Sequence, residues 1–462
     1  MKPLTVREVR KILRAELING SEDFRITQAV HYSDKDIINK NTMIFISKGD
    51  EVHWQRLNSI GNVLAITDKP QEELKRKLPN LTILRVKNAQ RAFWDFTAYY
   101  RNLFDVPVVA LTGTCGKTTT KEMIAHILRG DMEIQISESS KNEPRQSLTY
   151  LTGIEEKTKA AVFELGLGNS GNISHQCLVY KPTIGIITNI GVHHLDGCKN
   201  LEGYIRAKGE IVSGIAKDGT LIINSDDENT KKISLKAFKG KVISFGLGEK
   251  ADFRASNIQY RKNGMSFSLN IGNGSYGVFV PGFGEHQVYN ALAAIAAARE
   301  IGVSIQKSII RLRTFKNMTR HLEFSTGIGG STIIDDTWTN NPTSIEAALN
   351  VLDEIGKGKR VIVVLGDIKR LGQFEKKYHR EIGNMVAKRD IHTLITIGSK
   401  AEEIARQAKR DQTKANVHIF KDVRGIMDIL KPELNQETIL LIKGPMSSRS
   451  MIEFAQQLKD IE

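Results

Sequence analysis

Apolar residues along this chain alternate between short unbroken runs and stretches at helical spacing, the pattern of parallel strands joined by helices. Pro107-Val108-Val109-Ala110-Leu111-Thr112 is such a run; it ends at Gly113, and residues 117–128 then carry a helical pattern. That order predicts strand, glycine turn and helix, and it opens a new unit of the chain. Ala160-Ala161-Val162-Phe163-Glu164 and Thr183-Ile184-Gly185-Ile186-Ile187-Thr188 are near-continuous apolar runs, as expected of strands buried on both faces. Residues 202–215 read as a helix and Gly219-Thr220-Leu221-Ile222-Ile223-Asn224 as a strand. Between 241 and 281 the pattern shifts to short strands with Gly and Asn turns, an antiparallel patch, and Asn290 begins an alanine-rich helix running to 301. A further cycle starts with Thr332-Ile333-Ile334-Asp335-Asp336, read as the first strand of its unit. It continues through a helix at 344–355 and strands at 360–365, 393–397 and 438–442. Upstream of Pro107 the pattern is mixed: 6–17 reads as helix and Met43-Ile44-Phe45-Ile46 as a buried strand. An α/β chain of three domains is expected, at 1–106, 107–322 and 323–462.

Length and composition narrow the function classes. At roughly 100–200 residues per domain, 462 residues suit three domains. No apolar run approaches the ~18 residues of a membrane span, and Met1-Lys2-Pro3-Leu4-Thr5 lacks the apolar core of a signal peptide. Cys115, Cys177 and Cys198 form no C-x-x-C pair, so neither a disulfide framework nor a thiolate metal site is indicated. A cytoplasmic protein is expected. The net charge of +14 is spread along the chain, in short clusters such as Lys75-Arg76-Lys77 and Lys376-Lys377. Aromatic residues are 6% and do not interleave with these clusters, so the excess reads as attraction for anionic small molecules, with no nucleic acid as partner.

The chemistry enters at Gly113-Thr114-Cys115-Gly116-Lys117-Thr118-Thr119, between a strand and a helix. Successive backbone N–H groups and the helix dipole suit such a loop to phosphates. Lys117 would reach the β- and γ-phosphates, and the Thr118 hydroxyl would face Mg²⁺. Leu111 stands where the longer G-x-x-x-x-G-K-[ST] loop has glycine, so this is a shortened form. Cys115 reads as a small space-filler.

Six ordered motifs make the chain resemble the Mur ligases, ATP-dependent amide-bond-forming enzymes of peptidoglycan assembly. The loop Gly113–Thr118 resembles their G-T-x-G-K-[TS], and Glu164-Leu165-Gly166 with Gly171 and Ile173 resembles E-L-G-x-x-x-x-G-E-I. Asn189-Ile190-Gly191 with His194-Leu195-Asp196-Gly197 resembles N-I-G-x-A-H-L-E-G, and Ala207-Lys208-Gly209-Glu210-Ile211 matches A-K-G-E-I. The stretch from His286 to Ala294 resembles H-N-x-x-N-A-L-A-A. Leu365-Gly366-Asp367 with Leu371-Gly372 and His379-Arg380-Glu381 resembles G-D-M-x-E-L-G followed by H-R-E.

The resemblance implies a fold, a reaction and roles. A small N-terminal domain would hold the acceptor acid and a central P-loop domain ATP. A C-terminal Rossmann-like domain would hold the incoming amino acid or dipeptide amine and close on ATP. The reaction is nearest to addition of D-alanyl-D-alanine to UDP-N-acetylmuramoyl-tripeptide through an acyl phosphate, by a monomer. Gly113, Thr114, Gly116, Lys117, Thr118 and Thr119 would bind ATP, with Asn290 near the adenine and Asp336 reaching ribose hydroxyls or phosphate-bound water. Lys117, His194 and Lys208 would be catalytic, and Thr118, Glu164, His194 and Lys208 would surround Mg²⁺, Lys208 as a carbamate. Plainer readings stand beside these: Glu164 in a salt bridge, Lys208 paired with Glu210, Asn290 as a helix cap.

The N-terminal motif D-S-R followed by F-V-A-L-x-G-E is represented by Asp34-Lys35-Asp36 and Ile44-Phe45-Ile46-Ser47-Lys48-Gly49-Asp50. N-N-E-I-G-x-P-L-T becomes the stretch from Lys141 to Thr149, without its Gly and Pro. His321 stands where an arginine precedes [LM]-E, with Arg320 one residue early; Trp338 and Thr339 replace Tyr and Asn, and K-G-S-R becomes Lys443-Gly444-Pro445-Met446. These departures leave a second reading, a relative joining a different acid and amine, and a third, a P-loop binding protein without ligase activity.

Overall fold

A computed structural model describes residues 1–70 and 78–459, without the side chains of residues 35 and 36. The basic cluster Lys75-Arg76-Lys77 lies outside the described residues, as do the two side chains that follow Asp34. Among the described residues three large sheets carry the fold, beside a two-stranded pair of Leu4–Thr5 with Arg25–Ile26, and their strands come from successive stretches of the chain.

The first sheet runs Glu16–Asn19, Leu81–Arg85, Val63–Thr67, Thr42–Ile46, Gln28–His31; its first pair is antiparallel and the others parallel. The helix expected over 6–17 stops at Leu13, because Arg14 turns left-handed (φ 50) and returns its N–H to the Arg10 and Lys11 carbonyls. Leu17 then pairs with Leu84 across strands. The helix Ala89–Arg101 buries Phe93, Phe96 and Tyr100 and ends in a clamp. There the Arg101 guanidinium donates to the carbonyls of Tyr180 (2.8 Å), Phe104 (2.6 Å) and Val106 (3.1 Å), fastening this unit to the next.

The second sheet has nine strands in the order Ile134–Ile136, Ala160–Glu164, Val108–Thr112, Ile184–Ile187, Thr220–Asn224, Lys241–Gly246, Phe253–Arg261, Gly264–Ile271, Gly274–Pro281. The stretch 241–281 is antiparallel only from Phe253 onward; Lys241–Gly246 continues the parallel ladder beside Thr220–Asn224. Ile243 and Phe245 are buried while Lys241 and Val242 are exposed, and this half-exposed pattern hides the strand's parallel pairing. The alanine-rich helix begins earlier than expected, at Glu285, with Gly284 as its cap and Asn290 well inside. Asn290 is therefore no helix cap. Its helix packs against Lys117–Leu128, and the run of buried alanines lets the two backbones approach.

The third sheet runs Glu323–Gly327, Ser331–Asp336, Thr438–Lys443, Arg360–Gly366, Thr393–Ile397, Asn416–Phe420. Ser331–Asp336 is its second strand in the chain, not its first: Glu323–Gly327 precedes it, antiparallel, with a half-exposed pattern too weak to read as a strand. The rest of the ladder is parallel. Cys115, Cys177 and Cys198 are free thiols. Among the described residues no helix is long and apolar enough to cross a membrane.

Candidate functional site

In the second sheet Val108–Thr112 lies between Ala160–Glu164 and Ile184–Ile187, strands that the chain reaches only later. Such a switch in strand order opens a crevice at the carboxyl ends of the strands, where open α/β sheets bind ligands. The loop 113–116, Glu164 and Asn189 all emerge there.

The loop is held in shape by its neighbours. Thr114 N–H donates to Asn189 O (2.9 Å), Cys115 N–H to Asn189 Oδ1 (3.0 Å), and the Thr188 hydroxyl to Cys115 O (2.7 Å). The Thr114 hydroxyl accepts the Gly191 N–H at 2.9 Å and meets the Tyr204 hydroxyl at 3.1 Å. Gly116 is left-handed (φ 78), and a Cβ there would stand 2.3 Å from Asn290 Oδ1, so only glycine fits. Asn290 Oδ1 in turn accepts the Thr120 hydroxyl (3.2 Å), tying the helix Lys117–Leu128 that follows the loop to the alanine-rich helix. Cys115 packs its thiol against Asn341 Oδ1 (3.4 Å) of the third unit, and burial raises its pKa, so it is a filler and not a thiolate.

The ionisable groups converge beside the loop. The Thr118 hydroxyl donates to Glu164 Oε2 at 2.7 Å, Asn142 Nδ2 donates to Oε1 at 2.7 Å, and Lys117 Nζ lies 3.8 Å from Oε1. Glu164, only 2% exposed, is thus a buried carboxylate satisfied by three partners, one of them a cation. Because the Thr118 hydroxyl donates its hydrogen bond to Glu164, its oxygen lone pairs remain available as acceptors. Lys208 is buried and close enough to Lys117 and Glu164 to feel both charges; burial first, then Lys117, holds its ammonium well below the usual lysine range. It does not pair with Glu210, whose carboxylate instead accepts the N–H groups of Gly171 (2.6 Å) and Ser174 (3.0 Å). Among the described residues no hydrogen bond reaches Lys208 Nζ. His194 is left-handed (φ 49), and burial followed by Arg370, Lys208 and Lys117 lowers it to about 3. Its Nδ1 is buried without a hydrogen-bond partner among the described residues. The His193 ring packs 4.1 Å from it.

The third unit closes the crevice. Asp336 and Lys443 are register partners at adjacent strand ends, and Lys443 Nζ, fully buried, bonds Asp336 Oδ2 and, at 2.8 Å, Thr339 O. Between the units lies a cavity of about 350 Å³, lined by Gly116, Thr119, Asn290 and Asp336 with the apolar side chains of Phe245, Phe283 and Met318. Tyr289 donates its hydroxyl to Asp226 Oδ2 (2.9 Å) on the wall of the same cavity. An apolar slot with a few polar ends, opening on a phosphate loop, has the size and chemistry for a nucleoside. Lys443 and Asn142 were not singled out from the sequence as site residues. A lysine ending an apolar parallel strand was the available signal for Lys443.

Family comparison agrees with the geometry. The Mur ligase middle-domain family matches residues 111–298, and the Mur ligase glutamate ligase domain matches residues 321–446. The chain is similar to the UDP-N-acetylmuramoyl-tripeptide--D-alanyl-D-alanine ligase of Haemophilus influenzae, at 29% identity over 100% of this chain and 99% of that one. The enzyme of the same name from Buchnera aphidicola subsp. Acyrthosiphon pisum is 30% identical over 80% of this chain and 81% of its own. A crystal structure of MurF from Acinetobacter baumannii superposes with a TM-score of 0.88 at 26% identity, covering 99% of both chains. The fold is also that of MurF from Thermotoga maritima, solved in complex with ADP (TM-score 0.80, 18% identity, 93% of this chain and 98% of that one).

Proposed function

The chain belongs to the Mur ligase family, and on that premise we propose that it joins D-alanyl-D-alanine to UDP-N-acetylmuramoyl-tripeptide in peptidoglycan synthesis, consuming ATP and releasing ADP and phosphate. The observation that carries the reading is the convergence of Lys117, Thr118, Glu164, His194 and Lys208 at one crevice that the third unit closes with Asp336 and Asn341.

Amide formation in water is uphill, so the acid is first phosphorylated. The acyl carboxylate oxygen attacks the γ-phosphorus and ADP leaves; the amine nitrogen then attacks the acyl carbon, the C–N bond forms, the acyl C–O bond breaks, and phosphate departs as the amine loses its proton. Most of the catalysis is charge neutralisation and positioning. The loop amides and Lys117 hold the polyphosphate, and the cavity beside Asn290 takes the adenosine. Asp336, pinned by Lys443, meets the nucleotide from the third unit. Glu164 and Thr118 present the hard oxygens that Mg²⁺ prefers, and the metal would draw charge from the β- and γ-phosphates. His194 offers a nitrogen donor, poorer for Mg²⁺, and fits better as a partner for metal-bound water or for the acyl phosphate. Burial and Lys117 favour a neutral Lys208 amine, the form that attacks CO₂: the N–C bond forms, a proton leaves, and the resulting carbamate adds a second anion beside Glu164.

In this reading residues 1–106 hold the acid, 107–322 hold ATP, and 323–462 bring the amine; the protein works as a cytoplasmic monomer. The altered N-terminal motif at Asp34 favours one alternative, a relative joining a different acid and amine. An ADP-release assay with ATP, Mg²⁺ and a panel of acids and amines separates the two. Turnover on UDP-muramoyl-tripeptide with D-alanyl-D-alanine is expected. Turnover only with another acid overturns the substrate assignment, and nucleotide binding that survives Lys117→Ala unchanged overturns the site.

A further inference from the structure

Two non-glycine residues in the left-handed region meet where the second and third units touch. His194 (φ 49) precedes the short helix Leu195–Cys198, and Arg370 (φ 66) stands in the loop after the strand Arg360–Gly366. Side chains disfavour that conformation, so it persists where neighbours hold it. Here the neighbours are each other's: Leu195 N–H donates to Arg370 O at 2.9 Å, and Arg370 Nε donates to Asp196 Oδ2 at 2.5 Å. Gly372 lies flush against the same turn, so that a Cβ there would stand 3.3 Å from Asp196 Cα.

The loop that carries Arg370 is stiff. Ile368 N–H donates to His379 Nε2 (3.2 Å), Asn340 Nδ2 donates to the carbonyls of Gly366 (3.0 Å) and Asp367 (2.9 Å), and Asp367 Oδ1 accepts the N–H groups of Lys400 (3.0 Å) and Ala401 (2.8 Å). By contrast, no hydrogen bond among the described residues holds the His194 ring at Nδ1. Its direction is therefore set by the backbone of the turn that Arg370 grips, with the His193 ring packed beside it. The pattern G-D-M-x-E-L-G carries an acid at the place of Arg370, which would repel Asp196, so the grip belongs to this chain's own residues.

We propose that Arg370 is a positioning residue for the ligase reaction: it latches the third unit onto Leu195 and Asp196 and thereby sets His194 toward Lys117 and Glu164 only when the crevice is closed. The proposal rests on the ligase reading of the site. Arg370 and Asp196 keep 45% and 37% of their side-chain surface exposed, so salt weakens the latch, and reversing one charge costs more than removing it.

The test uses Arg370→Ala, Arg370→Glu, Asp196→Lys and the swapped pair Asp196→Lys/Arg370→Glu in the full chain. Three quantities are read: kcat by ADP release, ADP affinity by equilibrium titration, and particle size with ADP by small-angle scattering. Expected are a kcat lower by about fivefold in Arg370→Ala and by more than about tenfold in Arg370→Glu, with ADP affinity within about twofold. The swapped pair should recover to within about threefold of the parent. An Arg370→Glu enzyme with parental kcat, or a swapped pair no better than the worse single variant, overturns the proposal. Absence of turnover in the parent would sink the ligase reading instead, and scattering then decides the latch alone. Expansion in Arg370→Glu with re-compaction in the swapped pair supports it; identical particles overturn it.

Discussion

The Thr118 hydroxyl, in the first turn of the helix Lys117–Leu128, donates at 2.7 Å to Oε2 of Glu164 at the end of the strand Ala160–Glu164, joining the helix that follows the glycine loop to a carboxylate 46 residues away in sequence. The bond turns the Thr118 hydroxyl hydrogen toward Glu164 and leaves the lone pairs of the threonine oxygen as acceptors. Glu164→Gln keeps a group of the same shape and removes the charge. It should lower kcat by about 100-fold, the scale of losing one oriented electrostatic contact, while secondary structure is unchanged. Steady-state ADP release across a Mg²⁺ titration, with circular dichroism alongside, measures it.

Lys208 is expected to carry the mass of one CO₂ in intact protein kept in bicarbonate. Lys208→Ala should lose most activity and regain part of it with a small carboxylic acid that occupies the vacated space. Full activity in Lys208→Ala, indifferent to bicarbonate or acetate, would be the contrary result.

Lys443 and Asp336 are a buried ion pair, and removing one partner strands the other. Lys443→Met should destabilise the third unit by about 3–5 kcal/mol, and adding Asp336→Asn should restore a large part. Urea unfolding of the parent and the two variants gives both numbers.

His286 lines the cavity, and burial holds it at about 4, below the ordinary 6.5. The unfolded chain therefore takes up the proton first as pH falls. The contribution of this residue is constant above 6.5, declines as pH drops from 6.5 to about 4, and is flat below that. His286→Gln should flatten the fall in melting temperature across that window relative to the parent. Scanning calorimetry at a series of pH values tests it.

Much of the site was legible because its parts are local. A glycine turn between a buried strand and a helix identifies a phosphate loop without knowledge of anything beyond residues 108–128, and Glu164 follows from an acid ending a parallel strand. Asn290 was assigned to the nucleotide but misread as a helix start, because the alanine run that marks the helix begins after Glu285 and His286 have already made its first turn. Lys443 is visible in the sequence only as the first residue of the stretch in the place of K-G-S-R; its pairing with Asp336 is a register between residues 107 apart in the chain, which no local pattern shows.

By itself the sequence determined the alternation of strands and helices, the three units and the strand–glycine turn–helix at residues 108–128, since these depend on periodicity and on a few adjacent residues. Only the tertiary structure decided which strands are neighbours. That choice brings Glu164 to Thr118, sets Lys208 beside Lys117 with its Nζ over the Tyr204 ring, and presses Arg370 onto Asp196. Such pairings are distances between groups far apart in the chain, and no local propensity encodes them.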